Sequence, residues 1–269
     1  MAQIFPPLEN IERLKESPTE GERFLLQHLT DRFSSDPDVE IYFQPFLKGD
    51  RPDIILMKKD QGVTIIEAKD WNLSRYEVNE KNKWKLKKED QKIKSPFQQI
   101  FKYKDNLFKL HINGLLEKWV RNKNFYDLIN VFVYFHGPSK ENLNSFYFQA
   151  IDSCNREIYF HNECFRKLSE EDRLKAHSSY DTKREYLLNK RYRLERDLRL
   201  ALTEDNLKKI SLPKESEISL FDVETYYEFK RHLQPPFHTL EEGKIIVYEK
   251  NQELLAVSKN IHEKIRGVA

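Results

Sequence analysis

Asp53 opens one apolar stretch of this chain, and Glu67, Ala68 and Lys69 close the next. Between them lies a turn, Lys58-Lys59-Asp60-Gln61-Gly62. Both stretches, 53–57 and 63–68, are nearly continuous apolar runs, the pattern of strands buried on both faces. Residues two apart on a strand share a face, so Glu67 and Lys69 point the same way, with Cα atoms roughly 6–7 Å apart. Two strands joined by a short turn then bring two carboxylates and an ammonium group to one place. Paired carboxylates can hold a divalent cation, and a lysine beside them can help polarise a water. That combination suits hydrolysis of a phosphodiester.

An acid-x-lysine triplet is weak by itself, as Asp90-Gln91-Lys92, Glu228-Phe229-Lys230 and Glu242-Gly243-Lys244 show. Glu67 differs because it closes a strand of Val63, Ile65 and Ile66. A buried acid needs a partner or a cation to offset its desolvation. The competing reading is a structural acid–lysine pair at a sheet edge. Glu22 stands in an expected helix and is either a third carboxylate or a surface acid beside Glu20. Gln99 and Tyr103, four apart on another helix, share a face. There they can fix a water or a phosphate oxygen, while ordinary packing is the alternative for the tyrosine.

The surrounding pattern predicts the elements that position these residues. Phe24, Leu25, His28, Leu29 and Phe33 recur at helical spacing over 19–33, with Ser17 or Thr19 as the cap. Residues 39–46 alternate like a strand. Residues 76–78 and 83–86 flank an exposed hairpin tip at 79–82. Ser95-Pro96 opens a helix running to about 111, and 128–135 form another buried strand, stopped by Gly137-Pro138. Residues 146–151 and 157–160 read as short strands. From 163 to 208 the chain is helical and charge-rich, with Leu187, Tyr192, Leu194, Leu198 and Leu202 as an apolar stripe. Residues 222–233 read as a last helix.

The chain has 269 residues, 39% hydrophobic and 33% charged, enough for a sizeable core under a heavily charged surface. No apolar run approaches the length of a membrane span. The N-terminus lacks the basic and apolar regions of a signal peptide. Cys154 and Cys164 lack metal-type spacing and read as reduced thiols, so a cytoplasmic location is expected. A net charge of +2 does not by itself argue for a polyanionic partner. Locally, residues 75–104 hold ten basic and four acidic residues, and 183–199 hold seven and three. Such patches either neutralise phosphates or are solvated faces.

Gly21-Glu22, Pro52-Asp53, Glu67-Ala68-Lys69 and Ser95-Pro96-Phe97-Gln98-Gln99 resemble, in order and spacing, the nuclease-related domain, NERD, a branch of the PD-(D/E)xK nucleases. Gln99 and Tyr103 also match the QxxxY element of some members of that superfamily. The resemblance covers roughly 15–165. It implies an α/β fold, a restriction-endonuclease-like mixed sheet flanked by helices, followed by a helical extension. It further implies that Asp53 and Glu67 bind Mg²⁺ or Mn²⁺, assisted by Glu22 and the Ala68 carbonyl. Lys69 would orient the attacking water, and Gln99 and Tyr103 would position the DNA strand.

A second resemblance covers 233–243, 248–253 and 265–269, which look like the lead-in to a superfamily 1 helicase motor, with Gln252 in the place of its adenine-reading glutamine. The chain lacks the phosphate-binding loop that follows there. The expected organisation is a nuclease domain at 1–165, a helical extension at 166–235 and a lead-in segment at 236–269. The expected partners are DNA and a helicase domain or subunit, in DNA processing, repair or defence. The alternatives are a non-catalytic nucleic-acid-binding module, with Trp84 available to stack on a base, and a scaffold for a helicase motor.

Overall fold

The computed structural model describes residues 1–11, 17–47, 49–78, 84–88, 92–214, 220–233, 237–241 and 244–247. In chain order the elements are β1 (Gln3–Phe5), α1 (Leu8–Ile11), α2 (Glu20–Arg32), β2 (Val39–Phe43), β3 (Ile54–Lys58), β4 (Gly62–Lys69), β5 (Tyr76–Val78), β6 (Trp84–Leu86), β7 (Lys92–Ile93), α3 (Pro96–Asn106), α4 (Leu115–Arg121), β8 (Ile129–Phe135), α5 (Lys140–Arg166), α6 (Glu170–Leu200), β9 (Ala201–Leu202), α7 (Val223–Leu233), β10 (Phe237–Glu241) and β11 (Lys244–Val247). A six-stranded mixed sheet runs β1-β2-β3-β4-β8-β9, flanked by helices, and the chain beyond β8 is largely helical. The expected mixed α/β class is therefore the observed one.

The chain forms two compact units, interleaved in sequence. The first comprises Met1–Ala68, Ile100–Val131 and the described residues from 211 onward. Its centre is the antiparallel run β2-β3-β4, in which every residue from Ile54 to Met57 and from Val63 to Ile66 is buried. Apolar side chains on both faces are what make this run a central sheet rather than a half-wet one. Asp60, at φ 65°, and Gly62, at φ 135°, turn the chain between β3 and β4. A Cβ on Gly62 would stand 2.5 Å from the Leu128 carbonyl oxygen and 2.9 Å from Pro213 Cγ, so glycine alone fits there. α7 is anchored to the sheet by Glu40, which is 1% exposed and accepts from the Tyr42 and Tyr226 hydroxyls at 2.5 and 2.8 Å and from Lys230.

The second unit comprises Lys69–Gln99 and Phe132–Ile210. Its core is aromatic. Trp84 is 1% exposed, lies parallel to Phe135 at a centroid distance of 6.0 Å, and meets Phe146 and Tyr147. Trp84 is therefore a core residue and not a base-stacking surface, because its ring fills the space between β6 and these neighbours. The expected hairpin tip at 79–82 lies outside the described residues.

The expected strands at 146–151 and 157–160 are not strands; both lie inside α5. The Ser139 hydroxyl caps that helix by accepting from Asn142 N–H at 3.3 Å. Leu143, Tyr147 and Cys154, all buried, recur at helical spacing; Tyr147 meets Trp84 and Phe97, and Cys154 Sγ lies 3.4 Å from the Leu187 carbonyl of α6. Short aromatic windows imitate strands, and here the longer period wins. Of the expected stripe, Leu187, Leu194 and Leu202 are buried, Leu198 is half-buried, and Tyr192 points outward, 58% exposed. Cys154 and Cys164 are free thiols.

Burial pushes Asp197, 5% exposed, up to about 6, partly offset by its hydrogen bond from Arg196. Its folded value lies above its ordinary one, so the stability it contributes is complete below about pH 4 and is lost as pH rises through about 6. Asp197→Asn keeps the shape and removes the charge. The expected result is a variant more stable than the parent by up to roughly 3 kcal/mol at pH 8, with little difference at pH 4. Thermal melts at the two pH values check this.

Candidate active site

The end of the β3–β4 hairpin gathers the acids. The register pairs Ile54 with Ile66, so the next position sets Asp53 opposite Glu67. Residues opposed in this way have Cα atoms roughly 4.5–5.5 Å apart and side chains on one face. Asp53 Oδ2 accepts a hydrogen bond from the Ala68 N–H at 2.7 Å, which ties that carboxylate to the end of β4. Glu67 is 1% exposed, as a residue closing a core strand must be. Lys69 is half-buried, with Nζ 6.0 Å from the Trp71 ring centroid. Its carbonyl accepts from His136 N–H at 3.0 Å, so the strand stays regular to its last residue.

Glu22 is no surface acid. It is buried in the first turn of α2, where it completes a capping box: Thr19 N–H donates to Glu22 Oε2 at 2.7 Å, and Glu22 N–H donates to the Thr19 hydroxyl at 3.3 Å. Its other oxygen accepts from Gln44 Nε2 at 3.0 Å. Gln44 in turn accepts from Arg51 Nη2 at 2.5 Å, and its backbone N–H donates to the Asp53 carbonyl at 2.7 Å. Gln44 holds this position with φ at 45°, a left-handed conformation uncommon for a side chain of its size. One glutamine thus links the helix acid, an arginine and the Asp53 backbone.

Tyr103 and Gln99 are one turn apart on α3. Tyr103 is 8% exposed, and its hydroxyl makes a long contact of 3.4 Å to the Arg51 carbonyl. Gln99 is half-buried near the helix start, and its N–H donates to the Ser95 carbonyl at 3.1 Å. After α3 the chain widens into a π-helical turn, Leu107–His111, of a kind often found beside functional sites. This turn delivers His111 to Asp50. The Asp50 carboxylate receives Asn106 Nδ2 at 2.6 Å, lies 3.0 Å from His111 Nε2 and pairs with Lys102 at 3.5 Å. Burial raises the pKa of Asp50, but the Asn106 and His111 hydrogen bonds outweigh it and hold the group below its ordinary value. The segment that carries Arg51 and Asp53 is therefore pinned at its start.

Sequence reading missed Gln44, Asp50, Arg51 and His111. A polar residue between Phe43 and Pro45, and the Asp50-Arg51 pair just before Pro52, were the available signals. The basic patch at 75–104 is also weaker than its composition implied. Lys102 is paired with Asp50 and Lys85 with Glu77. Lys104 is buried over the Tyr126 ring at 3.6 Å, and burial pushes its pKa down to about 8.

Among the described residues, no three His, Cys, Asp or Glu side chains form a ready-made metal cluster. Glu22 is occupied by Thr19 and Gln44. Asp53 and Glu67, which the strand register sets opposite each other, offer hard carboxylate oxygens. That set fits Mg²⁺ or Mn²⁺ in kind, because Mg²⁺ is commonly bound by one or two carboxylates together with waters and substrate phosphates.

Residues 17–136 match the model of the nuclease-related domain family, NERD. The matched span runs from just before the Thr19 cap of α2 to the residue after β8 and contains every site residue named above. No curated protein and no solved structure matches the chain. Among the described residues, no helix is long and apolar enough to cross a membrane.

Proposed function

We propose that this chain is a divalent-cation-dependent nuclease that hydrolyses DNA phosphodiester bonds at the end of the β3–β4 hairpin. The observation that carries the reading is the register that sets Asp53 across from Glu67, together with the hydrogen bond from Ala68 N–H to the Asp53 carboxylate. In this reading Asp53 and Glu67 hold Mg²⁺ or Mn²⁺, with the Ala68 carbonyl and Glu22 as further oxygens. The bound cation supplies positive charge against the phosphate oxygens and makes a nearby water easier to deprotonate.

The chain's own residues supply the rest. Lys69 orients the attacking water and offsets the negative charge that develops as the water oxygen bonds to phosphorus and the bond to the leaving oxygen breaks. Gln99 and Tyr103 position the strand. Arg51, presented by Gln44, offers a guanidinium to a neighbouring phosphate, a role to which its planar donor fork is suited. A helicase domain or subunit as partner, a cytoplasmic location and a place in DNA processing, repair or defence belong to the same proposal. They rest on the two sequence resemblances.

The test is labelled single- and double-stranded DNA incubated with the purified chain in Mg²⁺, Mn²⁺ or EDTA. Cleavage is expected with either cation and not with EDTA. Lys69→Ala should lower the single-turnover rate by about 10²–10³ while DNA affinity changes little. Cleavage that survives EDTA would rule out the cation-dependent reading. Salt-sensitive binding without cleavage in any metal would favour the non-catalytic module.

A further inference from the structure

α5, 27 residues long, lies wholly in the second unit, and its inner face holds Leu143, Tyr147 and Cys154. Its outer face differs from an ordinary solvated one. Phe148 and Tyr159 stand there 68% and 69% exposed. Glu141, Asn155 and Arg166 are exposed as well, and Asp152 is half-buried. In chain order these six residues are separated by seven, four, three, four and seven positions. Steps of four and three keep a stripe on one side of a helix, and this is the repeat by which helices pack along their length.

The spacing reads the same in both directions. Its midpoint falls between Ser153 and Cys154, within one residue of the middle of α5. A twofold axis at that point lays a second α5 antiparallel on the first. A twofold contact pairs each residue i with j and each j with i. Here Glu141 meets Arg166, Phe148 meets Tyr159 and Asp152 meets Asn155, each pair occurring twice. Acid faces base, ring faces ring, and carboxylate faces amide. Arg156, next to Asn155 and with its side chain 75% exposed, brings a further cation to Asp152. Arg166 already bonds Glu163 of its own helix at 2.9 Å, and its remaining N–H donors can reach a second carboxylate.

A parallel contact would instead set Glu141, Asp152 and Arg166 each against its own copy, and it would align the two helix dipoles. The antiparallel contact opposes them. A cleft of about 480 Å³ opens beside Phe148, walled by Ile151 and Leu198, and gives the incoming Tyr159 ring a place to enter. Two such ring pairs remove four aromatic side chains from water. We propose that the outer face of α5 is a self-complementary interface through which two copies of this chain pair antiparallel. The six residues lie beyond the span 17–136 that matches the family, and the pairing stands independently of the cleavage reaction.

Sedimentation velocity of the full chain over a wide range of concentration tests this. A monomer–dimer equilibrium is expected. Phe148→Glu should weaken it by about 30-fold or more, because each dimer loses two ring pairs and buries two carboxylates in their place. Glu141→Arg and Arg166→Glu should each weaken it about 10-fold by setting like charges across the contact. The double variant, Glu141→Arg with Arg166→Glu, should recover most of the affinity. A thermal melt close to the parent's shows that each variant is folded. A chain that stays monomeric at every concentration overturns the proposal. So does a dimer that Phe148→Glu leaves intact, or a double variant no tighter than the single ones.

Discussion

Asp53→Asn should reduce DNA cleavage by at least about 10³-fold while leaving the melting temperature close to that of the parent. The asparagine keeps the volume and an oxygen able to accept the Ala68 N–H, now at 2.7 Å from Asp53 Oδ2, so the end of the hairpin keeps its shape. What disappears is one of the two negative charges that could hold a cation against a phosphate. Losing that charge removes the stabilisation of the developing transition state and the acidification of the attacking water together, each of which can be worth several kcal/mol. Glu67→Gln should behave in the same way. Glu22→Gln should be milder, about 10-fold, because both oxygens of this residue are already shared with Thr19 and Gln44 at a helix cap. Single-turnover cleavage of a labelled oligonucleotide in Mn²⁺ ranks the three variants. Equal losses at all three positions would mean that Glu22 belongs to the cation site on the same footing. Activity retained in Asp53→Asn would remove the site.

Lys230→Ala should lower stability by about 3 kcal/mol, the low end for breaking a buried ion pair, because the lysine side chain is 20% exposed. Its partner Glu40 is 1% exposed on β2 and would keep only the hydroxyls of Tyr42 and Tyr226. The loss is that of a buried carboxylate stripped of its countercharge. Replacing both members with apolar residues of similar volume, Glu40→Met with Lys230→Met, should recover most of the loss, since the second change removes the stranded charge. Urea unfolding of the parent, the single variant and the double variant gives the comparison. A single variant as stable as the parent would show that α7 is not held through Glu40. Lys118, which bonds Asp222 at 2.9 Å and Thr225 at 2.7 Å, would then be the contact that secures this helix.

The parts of the fold that were legible in the sequence are those set by local pattern. β3 and β4 are nearly continuous apolar runs joined by a turn ending in glycine, and α2 begins at a threonine with glutamate three residues on. Each is a signal with a direct physical cause. α5 was misread because Phe146, Tyr147, Phe148 and Ile151 resemble a strand within a short window, while the helical period emerges only from Leu143 to Cys154. The acids of the proposed site were visible because Asp53 and Glu67 lie equally far from the turn that joins the two strands. The groups that hold them in place were not. Asp50 meets His111 across 61 residues of sequence, and Gln44 adopts a backbone conformation that its residue type disfavours. Trp84 shows the opposite error: a tryptophan in a basic hairpin reads as a ligand platform, yet burial against Phe135 makes it core. Long-range contacts and local strain leave little trace in composition or period, and the support of this site depends on both.

The central claim is that a cation binds between Asp53 and Glu67, and iron-mediated backbone cleavage tests it directly. Fe²⁺ is loaded in place of Mg²⁺, and ascorbate with peroxide then cuts the polypeptide near the bound ion. The account predicts cuts at 51–53 and 66–69, suppressed by excess Mg²⁺ and absent in Asp53→Asn. Cuts confined to other segments, or the same pattern in Asp53→Asn, would contradict it.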